Sequence, residues 1–103
     1  MQDNSFGIEN KYLNQIINLF EQYEEIELVK IFGSRANNTF SHSSDIDLII
    51  CGANVTNTLI LNLKYTLEEI IPIPYYFDIL NENNINDFIN NSINNNHKVL
   101  YKK

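Results

Sequence analysis

The segment Asp45-Ile46-Asp47-Leu48-Ile49-Ile50-Cys51 constrains the rest of the chain most strongly. Two carboxylates lead into a near-continuous apolar run. Side chains alternate along a strand, so such a run points to a strand covered on both faces. The same alternation puts Asp45 and Asp47 on one face while Ile46 points into the core.

The flanking segments supply cover in alternating helix and strand. From Ile8 to Tyr23, residues Ile8, Tyr12, Ile16, Phe20 and Tyr23 recur at helical spacing, and Leu13 and Ile17 widen the stripe. A strand is expected over Ile26–Phe32, ended by Gly33, and a second over Asp45–Cys51, ended by Gly52. A long helix is expected over Asn54–Ile71. Asn54 is its N-cap, its core side holds Leu59, Ile60, Leu63, Leu67, Ile70 and Ile71, and Pro72 and Pro74 stop it. Tyr75–Leu80 reads as a third strand. Asn83–Ile93 reads as a last helix, with Ile85, Phe88, Ile89, Ser92 and Ile93 in register. A short edge strand follows at Val99, Leu100 and Tyr101. The expectation is a single α/β domain over residues 1–103, a small mixed β-sheet flanked by helices.

Composition narrows the classes. Hydrophobic residues make up 44% of the 103, enough for one core. No apolar run approaches the ~18 residues that cross a bilayer, and no signal peptide is expected. One cysteine, Cys51, excludes an internal disulfide framework and fits a reducing, cytoplasmic setting, where it is expected as a buried thiol. Thirteen acidic residues against seven basic ones give a net charge of -6, which disfavours nucleic acid as a partner. Carboxylates, in contrast, collect divalent cations.

Asp45 and Asp47 are the first such pair. Held this close, one of them has a raised pKa unless a cation intervenes, and Mg²⁺ prefers such oxygen ligands. Alone, the pair reads equally as the solvated start of a strand. Upstream stands Phe32-Gly33-Ser34-Arg35-Ala36. There a strand ends in glycine and a short helix is expected to begin, a turn suited to phosphate. Ser34 adds a hydroxyl, and Arg35 is the chain's only arginine. The bland alternative is an ordinary Gly-Ser turn with a surface arginine. A third carboxylate, Asp78, interrupts the apolar strand Tyr75–Leu80, where charge is costly unless paired or coordinated. If that strand neighbours the Asp45 strand, three carboxylates converge, as in a two-metal site for displacement at phosphorus.

Gly33-Ser34, then Asp45-Ile46-Asp47, then Asp78 in a later strand resembles the DNA polymerase beta-type nucleotidyltransferase superfamily. The stretch from Gly33 to Leu48 resembles its minimal nucleotidyltransferase (MNT) branch, and the order of elements matches over essentially the whole chain. The resemblance implies a palm-like fold. It implies triphosphate binding at Gly33 and Ser34, and Arg35 beside them is expected as a third nucleotide-binding residue. It implies one or two Mg²⁺ ions on Asp45, Asp47 and Asp78, with Asp78 on the nucleophile side. The implied reaction moves AMP from ATP to a hydroxyl. The implied acceptor is a tyrosine of a small helical HEPN-type toxin, which makes the chain an antitoxin.

Departures stand at Asn37 and Asn38, where relatives often carry a basic residue and a glycine, and near Asn96-His97, where a glycine is usual. Asn38 is expected to keep the turn by tolerating left-handed backbone. Ser44 is expected to cap the turn that presents Asp45, and His42 to be a solvated loop residue. Of Tyr75 and Tyr76, one is expected in the core and the other near the base. With no further domain to hold an acceptor, the site is completed by a partner, by a second copy as a homo-oligomer, or by an open cleft. The competing reading is a non-catalytic antitoxin, a binding module that neutralises its partner by occlusion. The three costly carboxylates favour the enzyme.

Overall fold

The computed structural model describes residues 6–37, 39–41 and 43–103. Its elements are α1 (Asn10–Glu21), β1 (Leu28–Phe32), β2 (Ile46–Cys51), α2 (Asn57–Tyr65), β3 (Phe77–Asn81), α3 (Asp87–Asn94) and β4 (His97–Lys102). The four strands form one mixed sheet in the order β3-β2-β1-β4. β1 runs antiparallel to β2 and β4, and β2 runs parallel to β3. Two strands at the sheet's centre and two at its edges leave β2 flanked on both sides, as its apolar run requires.

Ile46, Leu48, Ile49, Ile50 and Cys51 are all buried. One face of the sheet, with Val29, Ile31, Ile46, Leu48, Ile50, Phe77, Ile79 and Leu100, packs in the main core with Leu13, Ile16 and Phe20 of α1 and Leu59, Ile60 and Leu63 of α2. On the other face Ile49 and Cys51 meet Ile93 of α3, with Leu28, Phe32, Leu80 and Ile85 alongside. Burying each such side chain contributes about 1.5–3 kcal/mol. No described helix is long and apolar enough to cross a membrane.

The helices differ from the sequence expectation in informative ways. The N-cap of α2 is Thr56, whose Oγ1 accepts from Leu59 N at 3.2 Å; Asn54 lies in the preceding turn, closed by Val55 N donating to Gly52 O at 3.1 Å. After Tyr65 the helix widens into a π-helical turn over Thr66–Ile70, with Ile71 N donating to Thr66 O at 2.9 Å. One wide turn shifts the phase of every later residue. Leu67 stays buried, while Ile70, expected in the core, is 60% exposed. α3 starts later than expected, after a 3-10 turn at Glu82–Asn84, and is capped by Asn86, whose Oδ1 accepts from Ile89 N at 2.8 Å. Ile93 carries its burial, whereas Phe88 is 83% exposed. The edge strand is longer than expected because β4 pairs along the whole of β1.

Candidate active site

The site lies where β1 ends and β2 and β3 begin. Strand register brings its residues together: Phe32 pairs with Asp47, and Asp47 with Asp78. Neighbouring strands run roughly 4.8 Å apart, so Asp47 and Asp78 are side-by-side neighbours. The flanking residues Ile46, Leu48, Phe77 and Ile79 are buried toward α1 and α2, so both carboxylates project from the opposite face. Asp45 precedes β2, on the same side as Asp47. Asp47 is half-buried; Asp45 and Asp78 are exposed.

The electrostatics concentrate on Asp47. Burial pushes its pKa up, and repulsion from Asp78 and then Asp45 pushes it further, while Arg35 pulls it back. This is the conflict that a cation relieves. Among the described residues no three carboxylate, histidine or cysteine side chains stand close enough to enclose an ion by themselves. The donor set is nonetheless all hard oxygen on one open face. That fits Mg²⁺, which keeps waters and completes its shell with substrate phosphates.

Gly33 abuts this cluster. Its φ of +73° is a conformation that L side chains rarely adopt, and a Cβ there would run into Asp47 Oδ2. The residue after β1 is therefore glycine for two independent reasons. The helix expected to begin here is a single 3-10 turn, Gly33–Arg35, too short to build a helix dipole. Its phosphate-binding potential lies in local backbone N–H groups and in the half-buried Ser34. The turn is closed by Ala36 N donating to Gly33 O and Thr39 N to Ser34 O, at 3.2 and 3.0 Å. Asn38 and His42 lie outside the described residues, and so do the expectations attached to them.

Arg35 is not the surface residue of the bland alternative. It is fully buried, with Nη1 donating to Phe6 O and Nη2 to Ser44 O, both at 2.8 Å. Its charge centre stacks 5.1 Å from the Phe40 ring and 5.2 Å from the Tyr75 ring. Burial pushes its pKa down, opposed by Tyr75, Asp47 and Asp45. As it stands, the guanidinium has no exposed surface with which to meet a phosphate. Ser44 Oγ accepts from Ser41 N at 2.8 Å, as expected of a residue capping that turn.

A cleft of about 200 Å³ opens beside the Gly33 turn, lined by Phe32, Gly33, Asn37, Ser92, Ile93 and Asn96. Asn37, Ser92 and Asn96 are polar residues that the sequence reading did not place at a site. The only hint was that Asn96 is the last of three consecutive asparagines, Asn94 to Asn96, expected to break the last helix. A second cleft of about 220 Å³, lined by Glu68, Ile73, Pro74, Tyr75 and Tyr76, lies before β3. Tyr75 packs edge-on against Tyr12 at 5.9 Å between centroids and lies against the main core, while Tyr76 is 72% exposed. A hollow of about 510 Å³ between Gln22, Glu24, Glu25, Asn54 and Lys103 lies at the opposite end of the sheet and holds none of these carboxylates. Cys51 is the buried thiol that was expected, and burial and a hydrogen bond with Glu82 push it up to about 12.

Residues 14–103 match the family model described as Polymerase beta, Nucleotidyltransferase. No curated protein matches the chain by sequence. Among solved structures, a chain of a toxin–antitoxin crystallised with AMP-PNP superposes with a TM-score of 0.74 at 22% identity, covering 88% of this chain and 73% of that one. A chain of the Shewanella oneidensis complex of tri-AMPylated HEPN toxin with MNT antitoxin gives 0.67 at 19%, covering 90% and 71%. A chain of the toxin–antitoxin MntA–HepT gives 0.67 at 18%, covering 92% and 74%. At these identities the likeness is one of fold.

Proposed function

The chain belongs to the polymerase beta nucleotidyltransferase family, and from that premise we propose that it is a Mg²⁺-dependent adenylyltransferase acting on a HEPN-type toxin. In this reading residues 1–103 work as one minimal nucleotidyltransferase domain in the cytoplasm. AMP passes from ATP to a tyrosine hydroxyl of the small helical partner, and the chain serves as its antitoxin. The observation that supports the reading most is the Asp47–Asp78 register pair beside Gly33. The solved likenesses support the acceptor, because one of them is a complex whose HEPN toxin is AMPylated.

Gly33 and Ser34 receive triphosphate oxygens at the turn. Asp45, Asp47 and Asp78 would hold one or two Mg²⁺ ions, which would neutralise phosphate charge and lower the barrier to displacement. Asp78, exposed on the edge strand β3, faces the arriving hydroxyl and takes its proton directly or through water. The tyrosyl oxygen forms a bond to the α-phosphorus while the bond to the bridging oxygen breaks, and pyrophosphate leaves. Phe32 and Ile93 line one cleft wall beside the turn, so a nucleoside seated there is partly shielded from water.

The test is pyrophosphate release from each of the four ribonucleoside triphosphates, with the purified helical partner present or omitted. Release from ATP that requires both Mg²⁺ and the partner is expected. A tight complex that releases no pyrophosphate from any nucleotide would select occlusion instead.

A further inference from the structure

Asp45 stands just outside the sheet ladder, yet a metal ligand has to be held to within a fraction of an ångström. Two peptide planes meet at its Cα, and both are pinned. Ile46 N, in the plane that follows, donates to Tyr76 O at 2.9 Å. Ser44 O, in the plane that precedes, accepts from Arg35 Nη2 at 2.8 Å. Because each peptide unit is rigid, fixing both planes fixes φ and ψ of Asp45.

We propose that Arg35 is a positioning residue for Asp45, a buried bridge that ties the chain at Phe6 to the peptide carrying the carboxylate. The proposal rests on the adenylyltransferase reading for its catalytic consequence but not for its structural one. The guanidinium is suited to the task. Its planar fork reaches two carbonyls at once, Phe6 O and Ser44 O, and the rings of Phe40 and Tyr75 hold it in place. Nε is buried and finds no hydrogen-bond partner among the described residues. An apolar side chain of similar length would fill this space without that desolvation cost, but would leave both carbonyls unbonded. The burial also keeps a positive charge behind Asp45 and Asp47, where it offsets their repulsion without competing for the ligand face.

Hydrogen exchange of the protein without nucleotide, compared among wild type, Arg35→Lys and Arg35→Met, tests the structural half. Exchange at residues 44–46 is expected to quicken about tenfold or more in Arg35→Met, and less in Arg35→Lys, whose single ammonium cannot span both carbonyls. Residues 48–50 should exchange as in wild type. If Arg35→Met does not fold, Arg35→Lys carries the comparison. Kinetics test the other half: in Arg35→Lys, kcat should fall about tenfold while KM for ATP stays within about twofold. Unchanged exchange at 44–46, or a raised KM for ATP with kcat intact, would overturn the proposal, the latter making Arg35 a phosphate ligand. If wild type transfers nothing, the adenylyltransferase reading fails, and the exchange data still decide the role of Arg35.

Discussion

Asp47 sits in an electrostatic conflict with burial and two neighbouring carboxylates, and its variants separate stability from function. Its folded pKa is raised, so the folded state holds its proton longer than the unfolded chain does. Its effect on stability is therefore favourable at low pH and is lost as pH rises through the folded pKa. Asp47→Asn removes that penalty. Without nucleotide, the variant should melt at or above the wild-type temperature at pH 7, with the difference shrinking toward pH 4. Transfer should fall by about a hundredfold or more, since a metal ligand supplies several kcal/mol. Thermal melts across pH, paired with a transfer assay, check both; full activity would refute the metal role. Gly33 makes the opposite case. Gly33→Ala puts a Cβ on the Asp47 carboxylate in a left-handed backbone, at a cost of about 1–3 kcal/mol. A melting temperature several degrees lower is expected, and an unchanged one would contradict the close approach.

The carboxylates were legible in sequence because strand alternation alone assigns their face. Their meeting was legible only conditionally, since it needed β3 beside β2, a pairing that no local pattern specifies. Arg35 was not legible. Its inward turn depends on Phe6, Phe40, Ser44 and Tyr75, which come from separate stretches of chain. A lone arginine after Gly-Ser reads just as well as a surface residue.

At the scale of elements, periodicity found every helix and strand but misplaced their ends. The π-helical turn after Tyr65 is the clearest reason. A fixed period of 3.6 assigns Ile70 to the core, but one i→i+5 hydrogen bond rotates it out. The consequence is measurable by denaturant melts. Leu67→Ala should cost about 2–5 kcal/mol, while Ile70→Ala should fall within about 0.5 kcal/mol of neutral. Thr56→Ala should cost about 1 kcal/mol through the lost cap, and Asn54→Ala almost nothing. Equal losses at Leu67 and Ile70 would mean the helix keeps its α period. The last helix was misjudged for a related reason. The sequence pattern puts Phe88 in one helical register with Ile85, but Ile85 is extended and lies before the cap Asn86, so the helix is only eight residues long and Ile93 alone of it is buried.

At the scale of the whole molecule, the site occupies one end of a four-stranded sheet and is open toward solvent. The carboxylates face outward, and the flanking clefts of about 200 and 220 Å³ are each too small to enclose a nucleoside triphosphate together with an acceptor. A net charge of -6 works against a polynucleotide acceptor. A protein acceptor that brings its own hydroxyl to the Asp78 side, as the proposed function has it, would meet both constraints.

The most direct measurement is the intact mass of that partner. The wild-type chain is incubated with ATP, Mg²⁺ and a candidate HEPN-type partner from its own genome, and that candidate is weighed before and after. A gain of one or more AMP units is predicted, on tyrosine, and absent when Asp45→Asn replaces the wild type. A stable complex whose partner keeps its original mass with every nucleotide would contradict the account.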